Sequence, residues 1–185
     1  MRIAIFGHSY VRDLGTLGSN SINIRNSINE LVYFSFPGAC FNKFFYNTKL
    51  LNELVACKPD VVIVILGGND IKVQTDLDIV KSDCQSFYLT LKSALPSVRI
   101  IASQIEHRHL ETINRYGTPS ATLFKKLANS FNRWLVRQPF KDKILILNGA
   151  EKLSDQKYFK ADRTHLNIEG LSLLFNLIVD CVEHL

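Results

Sequence analysis

Short runs of β-branched and aromatic residues alternate along this chain with longer segments in which apolar residues recur every three or four positions. The short runs are typical of β-strands and predict five of them, at residues 3–6, 31–36, 61–66, 98–102 and 144–147. The longer segments have helical periodicity and predict helices at residues 44–56, 77–95, 121–136 and 168–185. Residues 61–66 are apolar on both faces, which is typical of a central parallel strand covered by helices on both sides.

The alternation of strands and helices predicts the fold class. Right-handed crossovers between parallel strands put helices on both faces of a sheet, so we expect an α/β fold with three α/β/α layers around a doubly wound, five-stranded parallel sheet. The 185 residues lie within the usual size of one domain, and residues 1–185 are predicted to form a single domain. Residues 104–119 are polar and include Gly117 and Pro119, which predicts a long loop at the functional edge of the sheet.

Composition narrows the class of protein further. With 46% hydrophobic and 21% charged residues, the chain is neither disordered nor fibrous. Its four cysteines form no Cys-x-x-Cys pair and lie in or beside apolar segments, so reduced and mostly buried thiols are expected. No apolar stretch approaches the roughly 20 residues that cross a bilayer, and the residues after Met1 do not form a signal peptide. We therefore expect no transmembrane segment and an intracellular, cytoplasmic location.

Small and polar residues follow the carboxyl ends of the predicted strands. Ser9 comes after the first strand, Gly38 after the second and Asn69 after the third. Asp162 and His165 lie just before the last predicted helix. In an open parallel sheet, ligands bind beyond the carboxyl ends of the strands, near the point where the winding reverses. We therefore expect these five residues to meet at one edge of the sheet.

The types of these residues fit nucleophilic catalysis. A serine hydroxyl needs a base to accept its proton during attack, and histidine suits that task near neutral pH. Ser9 is therefore the predicted nucleophile and His165 the predicted base, with Asp162 fixing the tautomer of the imidazole. The backbone N–H groups of Ser9 and Gly38 and the side-chain amide of Asn69 are the predicted oxyanion hole.

In this order and spacing, the four sequence blocks resemble the SGNH, or GDSL-like, hydrolase superfamily over nearly the whole chain. The resemblance implies a flavodoxin-like three-layer fold and hydrolysis of acyl esters without a metal or other cofactor. More narrowly, residues 7–14, 131–135 and 162–167 are similar to esterase domains of some animal retroelement-encoded proteins, which in turn resemble platelet-activating-factor acetylhydrolases. This chain departs from the superfamily pattern at His8, which stands where the Gly-Asp-Ser block has aspartate.

Four further residues are candidates for the rim of the substrate site: His8, Phe41, His107 and His109. The two loop histidines are expected to be exposed, and they lack the carboxylate or cysteine at a suitable spacing that would indicate a metal site. Phe41 belongs to an aromatic run with helical spacing, which favours a place in the core. Asp70 is expected to shape the turn beside Asn69 rather than to take part in catalysis.

The sequence leaves three functions open. The leading one is hydrolysis of short-chain acyl esters, with acetyl as the expected acyl group and a small acyl ester or lipid as substrate, through an acyl-serine intermediate. The second is a catalytically impaired module of a retroelement protein that binds RNA or lipid. The third is O-deacetylation of a carbohydrate, which needs the same catalytic residues.

Charge bears on the second of these functions. The net charge is +5, and basic residues recur at helical intervals at Lys125, Lys126, Arg133 and Arg137. This pattern permits a weak contact with nucleic acid but equally fits a solvated helix face. The sequence carries no signal for an oligomeric state.

Overall fold

Five parallel strands form the centre of the protein in the computed structural model, which describes residues 1–21, 30–44, 48–110, 117, 119–138 and 144–185. In chain order the strands are β1 (Arg2–Gly7), β2 (Glu30–Ser35), β3 (Val61–Ile65), β4 (Arg99–Ser103) and β5 (Ile144–Leu147). Their order across the sheet is β2-β1-β3-β4-β5, and every neighbouring pair is parallel. The predicted five-stranded, doubly wound sheet is confirmed, with strand bounds within one residue of those predicted.

Helices connect the strands. In chain order they are α1 (Ser9–Ser21), α2 (Phe41–Phe44), α3 (Thr48–Ala56), α4 (Leu77–Ala94), α5 (Ala121–Leu135) and α6 (Ile168–Glu183), with a short 3₁₀ helix at Gln156–Tyr158. The three long helices that the periodicity predicts correspond to α4, α5 and α6. The helix predicted at residues 44–56 corresponds to the end of α2 and to α3, and residues 45–47 lie outside the described part of the chain. None of the described helices combines the length and the apolar character needed to cross a bilayer.

Helix α1 was not predicted from the sequence. Gly15 lies in its middle, and glycine is a poor helix former. The helix is stabilised instead by tertiary packing, because Tyr10, Val11 and Leu14 are almost completely buried on its sheet side. The serine that it carries at its first position is the predicted nucleophile.

The inner strands bury alternate side chains on opposite faces of the sheet. In β1, Ile3 and Ile5 belong to the cluster that includes residues of α1 and α6, whereas Ala4 and Phe6 belong to the cluster that includes residues of α2 to α5. Every residue of β3 is buried, as predicted for a central strand. The predicted three-layer α/β/α arrangement is therefore confirmed.

The strand register brings the functional turns to one edge. Gly7, the last residue of β1, pairs with Ser35 of β2 on one side and with Ile65 of β3 on the other. The chain thus leaves these three strands at the same height, and the segments that carry Ser9, Gly38 and Asn69 begin side by side.

The expectation that most cysteine thiols are buried is wrong. None of the four forms a disulfide, but only Cys84 is buried, whereas Cys40, Cys57 and Cys181 are half-buried. These three lie near the ends of helices, where neighbouring elements cover only part of the side chain.

Gly7 leaves no space for a side chain. A Cβ atom there would lie 2.1 Å from the Ile65 carbonyl oxygen on the adjacent strand. We expect Gly7→Ala to lower the free energy of unfolding by about 3 kcal/mol, as overpacking of a rigid site does, in urea denaturation. Gly149→Ala is the matched control, because its Cβ would meet only the end of the Leu177 side chain, at 3.0 Å. Equal losses in the two variants would contradict this account.

Candidate active site

Ser9 opens α1 directly after the end of β1. The His8 N–H donates to the Ile65 carbonyl of β3 at 3.3 Å, and the Val11 N–H donates to the His8 carbonyl at 3.0 Å. The first N–H groups of a helix have no acceptor within the helix, and the helix dipole adds partial positive charge there. The half-buried Ser9 therefore combines a hydroxyl and a helix-terminal N–H at the carboxyl edge of the sheet.

Asp162 and His165 lie in a tight turn before α6. Asp162 Oδ1 accepts hydrogen bonds from the backbone N–H groups of Thr164 and His165, both at 2.9 Å. Asp162 Oδ2 lies 2.7 Å from His165 Nδ1. Burial alone would raise the pKa of Asp162, but the hydrogen bonds from His165 and Thr164 outweigh it and lower that pKa below its usual value. A charged Asp162 favours the proton on His165 Nδ1 and leaves Nε2 as the base.

Helix α1 and this turn are joined directly. The Tyr10 hydroxyl donates to the Thr164 carbonyl at 2.6 Å, and the Tyr10 ring lies edge-on to the His165 ring with centroids 6.5 Å apart. One turn further along α1, Asp13 forms an ion pair with Lys160 at 3.0 Å. The residue that follows the predicted nucleophile therefore contacts the segment that carries the predicted base.

The Ser9 hydroxyl itself makes no hydrogen bond to His165 within the part of the chain that the structure describes. Hydrogen bonds between a nucleophile and its base are often long in enzymes without substrate and tighten in the complex. The structure thus brings Ser9 to the same junction as Asp162 and His165, and their catalytic roles remain predictions.

The two other predicted oxyanion donors lie in adjacent turns. Gly38 is exposed and adopts φ 75°, a conformation that favours glycine, and a Cβ there would meet no atom within 4 Å. Asn69 Nδ2 donates to the Ala39 carbonyl at 3.2 Å, which joins the turn after β3 to the turn after β2. Asp70 Oδ1 accepts a hydrogen bond from the Phe41 N–H at 3.1 Å and joins the same two turns. Asp70 therefore has the turn-shaping place expected of it.

A residue that the sequence did not single out, Arg108, lies against Asn69. Its Nη2 donates to Asn69 Oδ1 at 3.0 Å, and its guanidinium stacks over the Phe124 ring of α5 at 5.1 Å from the centroid. A Cβ at Gly68 would lie 3.0 Å from the same Nη2. In the sequence, Arg108 belongs to a polar His-Arg-His stretch. The only sequence feature that points to a functional role for it is the expected position of residues 104–119 at the functional edge of the sheet.

His8 is buried and electrically neutral. It is 2% exposed, and its ring packs edge-on against Tyr10 with centroids 4.8 Å apart. Its Nδ1 accepts from the Tyr10 N–H at 3.4 Å, and its Nε2 lies 3.5 Å from the position of a Cβ at Gly68, beside Arg108. Burial, followed by the charges of Arg108 and His165, lowers the pKa of His8 to about 3. His8 therefore lies beneath the site and not on an exposed rim.

The other rim candidates are buried or half-buried. Phe41 is 2% exposed and packs in the core against Phe131, with centroids 6.0 Å apart. The predicted exposure of the loop histidines is wrong for His107, which is 7% exposed and lies with Nε2 at 2.9 Å from Asn129 Oδ1. His109 is half-buried, and its ring packs against Phe159. Among the described side chains, no group of three or more His, Cys, Asp or Glu is arranged to hold a metal ion.

Asn132 explains why the loop after β4 is buried. Its side-chain amide accepts from the Ile105 N–H at 2.8 Å and donates to the Ile105 carbonyl at 2.9 Å. This pair of buried hydrogen bonds attaches the loop to α5. The loop residues that follow, His107 and Arg108, are consequently held against the body of the protein.

The known proteins that match this chain are solved structures with a similar fold. No protein-family model and no curated protein matches the chain. A lipase/acylhydrolase from Enterococcus faecalis matches with a TM-score of 0.71 at 17% identity, over 99% of this chain and 95% of that chain. A GDSL-like lipase from Bacteroides thetaiotaomicron matches with a TM-score of 0.73 at 16% identity, over 99% of this chain and 88% of that chain. A carbohydrate esterase family 3 structure from Talaromyces cellulolyticus matches with a TM-score of 0.69 at 13% identity, over 100% of this chain and 97% of that chain.

These identities are low, so the likeness concerns the fold. The chain has the SGNH/GDSL-like hydrolase fold, and this part of the predicted resemblance is confirmed. The narrower similarity to retroelement esterase domains stays a prediction.

The burial of His8 predicts an acid-dependent loss of stability. The lowered pKa means that, as pH falls from 6.5 towards 3, the unfolded chain binds a proton that the folded chain does not. Relative to His8→Asn, the wild type should lose about 1.4 kcal/mol of unfolding free energy per pH unit across this window. Urea denaturation at several pH values measures the difference. The control is His184→Asn, which changes an exposed histidine and should keep the wild-type slope of unfolding free energy against pH. If His8→Asn also kept that slope, the prediction would be contradicted.

Proposed function

We propose that this protein is a serine esterase that cleaves short-chain acyl esters, with Ser9 as nucleophile, His165 as base and Asp162 as its partner. The observation that carries the proposal is the junction between α1 and the turn before α6. There the Asp162 carboxylate holds His165 at 2.7 Å, and Tyr10, next to Ser9, donates to Thr164, next to His165. The fold shared with structures described as lipases, acylhydrolases and esterases supports the same class of reaction.

In the proposed reaction, Ser9 Oγ attacks the ester carbonyl carbon while His165 Nε2 accepts the hydroxyl proton. The negative charge on the carbonyl oxygen is stabilised by the N–H groups of Ser9 and Gly38 and by the Asn69 amide. Collapse of this intermediate breaks the bond to the alcohol, which takes the proton from His165. Water then attacks the acyl-serine while His165 accepts its proton. His165 returns that proton to Ser9 Oγ as the bond to the acyl group breaks, which releases the acid and restores Ser9.

The acyl group is proposed to be short. A Cβ at Gly67, beside the oxyanion hole, would lie 2.7 Å from Ile105 Cδ1 and 3.2 Å from Phe41 Cε2. These apolar side chains are buried in the core and fill the space next to Gly67, two residues before Asn69. Acetyl is the smallest common acyl group that fits such a site, and structural matches include an acetyl xylan esterase and an acetyl esterase. Deacetylation of a carbohydrate would use the same residues and differ only in the alcohol.

Ser9→Ala tests the nucleophile. We expect it to lower kcat for p-nitrophenyl acetate by roughly 10³-fold or more, because the acyl-enzyme can no longer form. Covalent labelling by a fluorophosphonate probe should be lost at the same time. The rates are measured with wild type and variant side by side over acetyl to octanoyl esters, and the wild type should prefer the shortest.

The matched control is Ser172→Ala, which removes an exposed serine hydroxyl from α6. It should keep wild-type turnover and labelling. Unchanged turnover in Ser9→Ala would exclude Ser9 as the nucleophile, and preference for octanoyl esters would exclude the short acyl site.

A second candidate function, binding of RNA without turnover, is favoured by a separate observation. A cavity of about 540 Å³ lies between α5 and the segments after β4 and β5. Lys125, Arg133 and Arg137 line it, and Glu151 is the one carboxylate among its described lining residues. None of these three cations forms an ion pair with another described residue. Such a concentration of positive charge suits phosphate groups.

Charge removal in the cavity tests RNA binding. The triple change Lys125→Gln, Arg133→Gln and Arg137→Gln should weaken binding of a single-stranded oligonucleotide and reduce the slope of log K against log salt by about 2. Fluorescence anisotropy at several salt concentrations measures both. Lys126→Gln is the control, because Lys126 is exposed on the same helix and does not line the cavity. Equal effects per charge in the control, or no RNA binding by the wild type, would count against this function.

A further inference from the structure

Arg108 is a buried cation without an ion pair among the described residues. Arg108 is 6% exposed. Burial lowers the pKa of its side chain, but a guanidinium still keeps its charge in proteins. Taking such a group out of water costs several kcal/mol. Glu106, two residues earlier, accepts from the Ser103 hydroxyl at 3.0 Å, and burial raises its pKa to about 7, so that it is only partly charged at neutral pH. No described carboxylate therefore balances the charge of Arg108 through a salt bridge.

The guanidinium instead determines how the Asn69 amide is turned. Every polar atom of a guanidinium is a donor, so the Asn69 atom that faces Arg108 Nη2 at 3.0 Å must be the oxygen. Asn69 Nδ2 then lies on the other side of the amide, where one hydrogen donates to the Ala39 carbonyl at 3.2 Å. The second hydrogen is left for the oxyanion. A rotated amide would place a carbonyl oxygen against the developing negative charge and raise the barrier.

The neighbours of Arg108 preserve this contact. Gly68 has no side chain, and a Cβ there would lie 3.0 Å from Arg108 Nη2. His8 accepts from the Tyr10 N–H through Nδ1, so its Nε2, which lies beside Arg108, carries the hydrogen and offers no acceptor. An aspartate at this position would put a carboxylate next to the guanidinium and compete with Asn69 for it. The departure from the Gly-Asp-Ser block is thus compatible with an intact oxyanion hole.

We propose that Arg108 is a positioning residue that fixes the Asn69 amide as an oxyanion donor. The proposal rests on the proposed esterase function of Ser9. Arg108 acts through Asn69 and takes no proton, so its removal should lower the rate of the chemical step and leave substrate binding almost unchanged.

Kinetics of four variants test this role. Arg108→Met should lower kcat for p-nitrophenyl acetate by roughly 10²-fold, the effect of one lost oxyanion donor, with KM changed less than about twofold. Asn69→Ala should lower kcat at least as much, and the double variant should be no slower than Asn69→Ala. Arg108→Lys should recover part of the rate, because an ammonium also donates to Asn69 Oδ1. Arg99→Met, which changes an exposed arginine at the start of β4, is the control and should keep wild-type kcat.

Losses that add in the double variant, or an Arg108→Met rate equal to the control, would overturn the proposal. A purely structural role would give additive losses, reduced urea stability and no recovery in Arg108→Lys.

A readout that needs no turnover is the pair of Asn69 side-chain amide signals in ¹H–¹⁵N NMR spectra, assigned by their absence in Asn69→Ala. Arg108→Met should shift these signals and speed their exchange with water, and Arg99→Met should not. If the wild type lacks esterase turnover, the proposed function fails. The amide signals then decide the positioning of Asn69 by themselves: a shift supports it, and unmoved signals overturn it.

Discussion

The hydrogen bond from the Tyr10 hydroxyl to the Thr164 carbonyl, at 2.6 Å, is the contact on which the candidate site depends. Ser9 belongs to the first helix of the chain, whereas Asp162 and His165 come just before the last. The parallel sheet brings both segments to one edge, but catalysis is sensitive to a misplacement of about 1 Å, so a direct contact between the two segments matters. Tyr10 is 3% exposed, and burial raises the pKa of its hydroxyl, so that it stays a donor across the working pH range. The ion pair between Asp13 and Lys160 strengthens the same junction from the surface.

A second set of contacts controls the charge beneath the site. His8 is neutral because it is buried beside Arg108. Arg108 donates to Asn69, and no carboxylate in the described part of the chain forms an ion pair with it. The aspartate of the Gly-Asp-Ser pattern would change this balance. His8 is therefore compatible with the predicted oxyanion hole, and the substitution does not by itself argue for an inactive protein.

The loop after β4 connects the two proposed functions. Asn132 attaches this loop to α5 through two hydrogen bonds to Ile105. Along the loop, His107 lines the cationic cavity, whereas the next residue, Arg108, contacts Asn69. Esterase activity and RNA binding would thus use opposite sides of one segment, and the variants that test them do not overlap.

The sequence by itself determined the sheet, its parallel strands, the longer helices and the identity of the five residues predicted to act in catalysis. It could do so because strand and helix periodicity and the order of short motifs are local properties. Helix α1, the burial of His107 and the role of Arg108 were decided only by tertiary structure. Gly15 weakens the local signal for α1, which is stabilised by burial of Tyr10, Val11 and Leu14 against the sheet. Arg108 is read from the sequence as a solvated loop cation, and only the packing of Phe124 and Gly68 around it makes Asn69 its acceptor. Burial and the pairing of distant side chains depend on the whole fold, and no local pattern encodes them.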